Sequence, residues 1–301
     1  MKNKQSFVPA VAALVCNAFI WGLTWWPLKE LQLLGWHPLW STTAIFALAT
    51  TAFVLFNPKA ISRLRESPVL WLIAFAAGVT NGAFNWGVAI GDVVRVILLF
   101  YLMPVWAVLL ARLLLKEPIS GFAVLRIVLA LAGAALVLRP DGGGLPLPSN
   151  LADWLGLLGG VAFALNNVLI RRAAHLPQEG RALAMFIGGL LIPALVASAM
   201  SAAGSIAMPS AFVGNAALLL AGLGLAILIA NLALQFGAAQ LPANITAVVM
   251  LVEVVFAAGS TVLVNGTAPT IPMIAGGVLI LTASALSALE GRRRTDQKRN
   301  A

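Results

Sequence analysis

The chain has 301 residues, 61% of them hydrophobic and 10% charged, with a formal net charge of +9 and a mean hydropathy of +0.97. A water-soluble domain carries about a quarter charged residues, yet from Ala182 to Leu289 the only Asp, Glu, Lys or Arg is Glu253. That excludes a soluble fold, and the lack of two-residue alternation excludes a membrane β-barrel; what remains is a set of apolar helices that satisfy their own backbone in lipid.

Gly, Pro and charged residues cut the chain into ten predicted spans, each near the roughly 20 residues a bilayer requires. They cover 8–27, 37–56, 69–90, 93–115, 119–138, 152–172, 183–203, 213–237, 243–264 and 271–289. The first is too long an apolar run for a cleaved signal peptide, and Trp25-Trp26-Pro27 is no small-residue cleavage site. Its single cysteine, Cys16, suits a small buried apolar position. Pro27, Pro104 and Pro193 are positions where spans can kink or break, and Pro104 is a candidate hinge. Between the fifth and sixth spans RPDGGGLPLPSN (139–150) has the composition of a loop. The expected organisation is a first five-helix unit over 1–138, a linker over 139–151, a second unit over 152–290 and a basic tail over 291–301.

Lys and Arg set the orientation. With both termini in the cytoplasm, 15 of the 19 basic residues fall inside (Lys2, Lys4, Lys59, Arg63, Arg65, Arg112, Lys116, Arg171, Arg172, Arg181, Arg292, Arg293, Arg294, Lys298, Arg299). Only Lys29, Arg95 and Arg139 fall outside, and Arg126 lies within a span, where it can pair with Glu117 or snorkel to the surface. Basic residues at helix ends exclude nucleic acid as the partner and point to lipid. The tail GRRRTDQKRN is expected to lie against anionic headgroups.

At a constant offset of 150, NGAFNWGVAIGD (81–92) matches NLALQFGAAQLP (231–242): Asn81 meets Asn231, Gly87 meets Gly237, and Asn85 meets Gln235. Five helices is an odd number, so a second copy enters the membrane from the opposite side. The expected fold is an all-α integral membrane protein of ten transmembrane helices in two inverted repeats, with the substrate site between them.

Several intramembrane residues are candidates for that site. Asn81 and Asn85 share a helix face, as do Asn231 and Gln235. Such amides line a polar cavity or bond across helices as packing glue. Asn166 and Asn167 lie in the inner half of the sixth span. Glu253 stands alone in its stretch, and a mid-membrane carboxyl faces the protein interior or water. It suits binding a substrate ammonium, carrying a proton or making a structural hydrogen bond. Trp21 and Trp25 on the first span, with Tyr101 and Trp106 on the fourth, suit either an aromatic pocket or interfacial anchoring. His37 and His175 lie near helix ends on opposite sides, so no metal site forms, and no phosphate-binding loop indicates ATP. No cofactor is expected.

This layout resembles the EamA family of the drug/metabolite transporter superfamily over about residues 8–290. Its local marks are Trp21-Gly22 and the segment LLFYLMPVWAVLLARLLLKEPIS (98–120), with Pro104 central and Lys116-Glu117 at the turn. The second copy's turn, NGTAPT (265–270), lacks the acidic residue. The tryptophan-rich WGLTWWPLKEL (21–31) is most similar to bacterial aromatic amino-acid exporters of the YddG type. The resemblance implies export of aromatic and apolar amino acids through a central cavity of the bacterial inner membrane by alternating access, and H+ is a candidate coupling ion through Glu253. Export of another small solute or drug is an alternative within the superfamily. A lipid-modifying membrane enzyme is the alternative from another class, but it needs clustered nucleophiles or paired acids, and only Glu253 is deep.

Overall fold

The computed structural model describes residues 7–91, 93–137, 148–209, 214–266, 270–272, 274–283 and 285–286. Lys2, Lys4, Asp92, Arg139, most of the predicted linker and the basic tail lie outside the described residues. Regular structure among the described residues is helical: α1 (Phe7–Leu23), α2 (Trp25–Leu33), α3 (Pro38–Phe56), α4 (Ala60–Arg63), α5 (Pro68–Ile90), α6 (Val93–Phe100), α7 (Met103–Leu115), α8 (Gly121–Val137), α9 (Leu151–Arg172), α10 (Gln178–Ala202), α11 (Gly214–Gln240), α12 (Ala243–Met250), α13 (Val252–Asn265) and α14 (Ile274–Ala283). Among the described residues seven stretches are long and apolar enough to cross a membrane: Phe7–Leu33, Pro38–Phe56, Pro68–Val88, Leu151–Arg172, Gln178–Ala202, Gly214–Gln240 and Ile245–Val264. The apolar helices α7, α8 and α14 are shorter. Leu55, Phe56, Leu113, Leu218, Leu263 and Ile271 are exposed on the outside, which only a lipid environment tolerates in such number.

Local chemistry sets the ends. His37 Nδ1 accepts from the Leu39 N–H, with Pro38 at the first position of α3. Asn150 caps α9 through the Asp153 N–H at 3.0 Å, and Asp153 accepts in return from the Ser149 N–H at 2.9 Å. The first span runs further than the sequence implied. It breaks at Thr24, whose hydroxyl turns back to the Trp21 carbonyl, and resumes as α2 to Leu33. Pro27 falls in the first turn of α2, where no backbone N–H is required, so it does not end the span. The seventh span also starts earlier, at Gln178, and α10 continues unbroken through Pro193.

Two further breaks are alike. The predicted fourth span is α6 plus α7, and the ninth is α12 plus α13. α6 and α12 correspond at an offset of 150 (93 to 243, 100 to 250). At the first break Leu102 N–H bonds Leu99 C=O and Val105 N–H bonds Leu102 C=O; at the second Leu251 N–H bonds Val248 C=O and Val254 N–H bonds Leu251 C=O. These are tight three-residue turns. Pro104 sits in the first turn after the first break rather than mid-helix. Both broken helices end on a left-handed cap, Lys116 (φ 56°) and Gly266 (φ 65°), again 150 residues apart.

Packing interchanges partners between the halves. α5 packs on α9 and α10, while α11 packs on α1 and α3; α6 and α7 lie on α9, while α12 and α13 lie on α1. Glycines allow the close approaches. A Cβ on Gly188 would collide with the Ala74 carbonyl, and one on Gly237 with Leu14. At the breaks, Gly160 presses on the Phe100 carbonyl and Gly22 on the Glu253 carbonyl.

One side chain departs from expectation, and for another one of its two expected roles is excluded. Cys16 is exposed on the outer face of α1 rather than buried. Arg126 is 1% exposed, so it turns into the protein and does not snorkel.

Candidate functional site

A cavity of about 50 Å3 lies at the level of the two breaks. Its polar lining is Asn81 of α5, Asn166 of α9, Asn231 of α11 and Glu253 of α13, with Thr80 beside Asn81. Its apolar lining is largely aromatic, from Trp21, Phe84, Phe100 and Phe163, and includes Met185 and Met250. Phe100 is the hub of the rings: its centroid lies 4.7 Å from that of Phe84, 5.7 Å from Phe163 and 5.7 Å from Tyr101. Helices of both halves contribute, and the broken ones supply Phe100, Met250 and Glu253.

Glu253 is in the first turn of α13, where backbone N–H groups lack partners within the helix. The Tyr101 hydroxyl donates to its carboxylate. Tyr101 is the residue after α6, so this bond joins one helix break to the other. Asn81 and Asn231 behave alike. Each donates from its amide to the carbonyl four residues earlier, Ala77 at 2.8 Å and Ile227 at 3.0 Å. No bond to either amide oxygen occurs among the described residues, which leaves an acceptor on each for a guest.

Of the residues singled out from sequence, Trp21, Asn81, Asn166, Asn231 and Glu253 meet around one cavity, with Tyr101 bound to Glu253. The others do not. Asn85 donates to the Thr42 hydroxyl, which donates to the Pro38 carbonyl at 2.8 Å, so it ties α5 to the start of α3. It lines a separate pocket of about 10 Å3 with Trp21, Thr24 and Thr42, room for one water molecule at most. Trp25 donates to the Ser260 hydroxyl at 2.9 Å, between α2 and α13. Gln235 donates to the Arg181 carbonyl at 3.1 Å, below the cavity. Trp106 packs on Ala107, Ala164 and Ala247 away from it. Amides and indoles four residues apart on one span therefore divide between guest-facing and helix-joining roles.

Sequence reasoning missed Phe84, Phe100 and Phe163, which are indistinguishable by pattern from core phenylalanines. It also missed Asn17, fully buried on α1, whose amide donates to the Ala230 carbonyl at 2.7 Å and binds α1 to α11. An amide in the middle of an apolar run was its only signal. Arg181, one of the basic residues assigned to the cytoplasmic side, is only 5% exposed.

Residues 8–139 match the EamA-like transporter family. The match covers 132 of the 301 residues, so the family is what the first part of the chain is similar to. Together with the seven stretches long and apolar enough to cross a membrane, the match marks the chain as a multi-pass membrane protein. The comparison with curated proteins finds no match. Among solved structures, one described only as "Crystal structure of protein" is similar over 96% of this chain and 99% of its own, with a TM-score of 0.78 and 20% sequence identity. At that identity the likeness is one of fold. It extends across both halves, whereas the EamA-like match covers the first.

Proposed function

We propose that the chain is a secondary transporter that exports aromatic and other apolar amino acids across the bacterial cytoplasmic membrane. In this reading α7, α8 and α14 also span, giving ten spans in two inverted five-helix repeats with both termini inside. The interchange of helix partners and the matched breaks support the repeat; the bias of Lys and Arg supports the orientation. Transport proceeds by alternating access without ATP, with a proton as the candidate coupling ion.

The observation that carries the reading is the composition of the cavity. Aromatic rings offer an apolar side chain its pocket. Glu253 offers an ammonium its counter-charge, and the oxygens of Asn81 and Asn231 add acceptors. Discontinuous helices meeting beside a midplane cavity are a recurrent transporter device. The present volume of about 50 Å3 holds only a few waters. An aromatic amino acid therefore requires the halves to part, which is what alternation supplies.

The test is uptake of radiolabelled phenylalanine, tryptophan and methionine into proteoliposomes, with and without a proton gradient. Saturable uptake with counterflow is expected. If none of these moves while a phosphorylated sugar does, the substrate class is wrong.

A further inference from the structure

A second layer of polar groups lies below the cavity, toward the Lys/Arg-rich end. On α10 Arg181 precedes the cavity residue Met185 by four positions; on α11 Gln235 follows Asn231 by four; on α12 Thr246 precedes Met250 by four. Each therefore shares the face of a cavity residue about 6 Å along its helix. Asn167 follows Asn166 on α9. All four are buried. Arg181 Nε and Nη1, Gln235 Oε1, Thr246 Oγ1 and both amide atoms of Asn167 lack a hydrogen-bond partner among the described residues. The Gln235 amide, bonded to the Arg181 carbonyl and to Met185 Sδ, fixes α11 against α10 at this level. The acidic group whose charge reaches Arg181 is Glu179, exposed two residues before it.

A buried guanidinium is costly unless an anion pairs with it, and its forked donors match a carboxylate. We propose that this layer is a capture subsite for the carboxylate of the substrate, with Arg181 as its anion-binding group. Gln235, Thr246 and Asn167 flank it with neutral hydrogen-bonding groups. The subsite rests on the amino-acid transport reading and extends it. A zwitterion arriving from the cytoplasm meets Arg181 through its carboxylate before its ammonium reaches Glu253.

Purified protein in lipid nanodiscs is titrated with phenylalanine, 3-phenylpropionate, phenylalaninamide and 2-phenylethylamine, as wild type and as Arg181→Gln. The variant should weaken the two carboxylates about 10- to 100-fold, the range for a lost charge-assisted bond, and leave the two carboxylate-free probes unchanged. Equal weakening of all four, no weakening, or no binding of either carboxylate by the wild type overturns the subsite. A variant that does not fold leaves a measurement on the wild type: phenylglyoxal labelling of Arg181 read by mass spectrometry. Protection by 3-phenylpropionate and not by 2-phenylethylamine is expected; identical labelling with and without 3-phenylpropionate overturns the proposal. The amino-acid reading fails separately. A wild type that binds 3-phenylpropionate through Arg181 but does not move phenylalanine keeps the subsite and loses the substrate.

Discussion

The Tyr101 hydroxyl and the Glu253 carboxylate connect the two halves at the depth of both helix breaks. Replacing Glu253 by Gln keeps the shape and removes the charge. Under the proposed function, Glu253→Gln should weaken phenylalanine binding about 10-fold, as loss of one charge-assisted contact does, while 3-phenylpropionate binds as before. Titration of both ligands at two pH values checks it; unchanged phenylalanine binding would reduce Glu253 to a partner for Tyr101. The amides separate in another way. Asn81 and Asn231 donate only to their own helices, so Asn81→Ala and Asn231→Ala should lower transport with little change in melting temperature. Asn85 joins α5 to α3 through Thr42, so Asn85→Ala should instead cost about 0.5–1.5 kcal/mol of stability, read as a lower melting temperature. Transport and thermal melting on the three variants settle the division, and a common pattern for all three would refute it. The sequence made the amide pairs visible, because Asn81 and Asn231 repeat at a constant offset. It did not separate their roles, because residues one turn apart share a face and only neighbouring helices decide what each one meets.

At the scale of elements, the deciding features are the two breaks and the glycines that press on them. A Cβ on Gly160 would collide with the Phe100 carbonyl and one on Gly22 with the Glu253 carbonyl. Gly160→Val should push α9 off the end of α6, destabilise the protein by about 1–3 kcal/mol through overpacking and impair transport. Melting temperature and uptake measured together check this; wild-type values for both would show that α9 gives way freely. Positions 93–115 and 243–264 were predictable as single spans, since Phe100, Tyr101 and Leu102, like Met250 and Leu251, continue an apolar run. Nothing local distinguishes a turn there from a helix, apart from Pro104 just after the first. The start of α10 was misjudged for a related reason. Gln178 to Arg181 is polar enough to resemble a loop, yet Gly180 and Arg181 are packed inside.

On the scale of the molecule, composition alone dictated lipid-embedded helices, and the order and approximate limits of most of them followed from Gly, Pro and charge. Their partners did not, because packing between helices far apart in sequence leaves little trace in an apolar segment. The exchange of partners bears on biogenesis. α6 and α7 lean on α9 of the later half, and α12 and α13 lean on α1 of the earlier one, so neither half buries its own broken helix. The nascent first half must wait in the bilayer, incompletely packed, until the second has been synthesised. Severing the chain between α8 and α9 and producing the fragments separately should leave each prone to degradation by membrane proteases, whereas co-production should rescue both. Pulse-chase lifetimes would measure it, and a long-lived first fragment on its own would show that the halves mature independently.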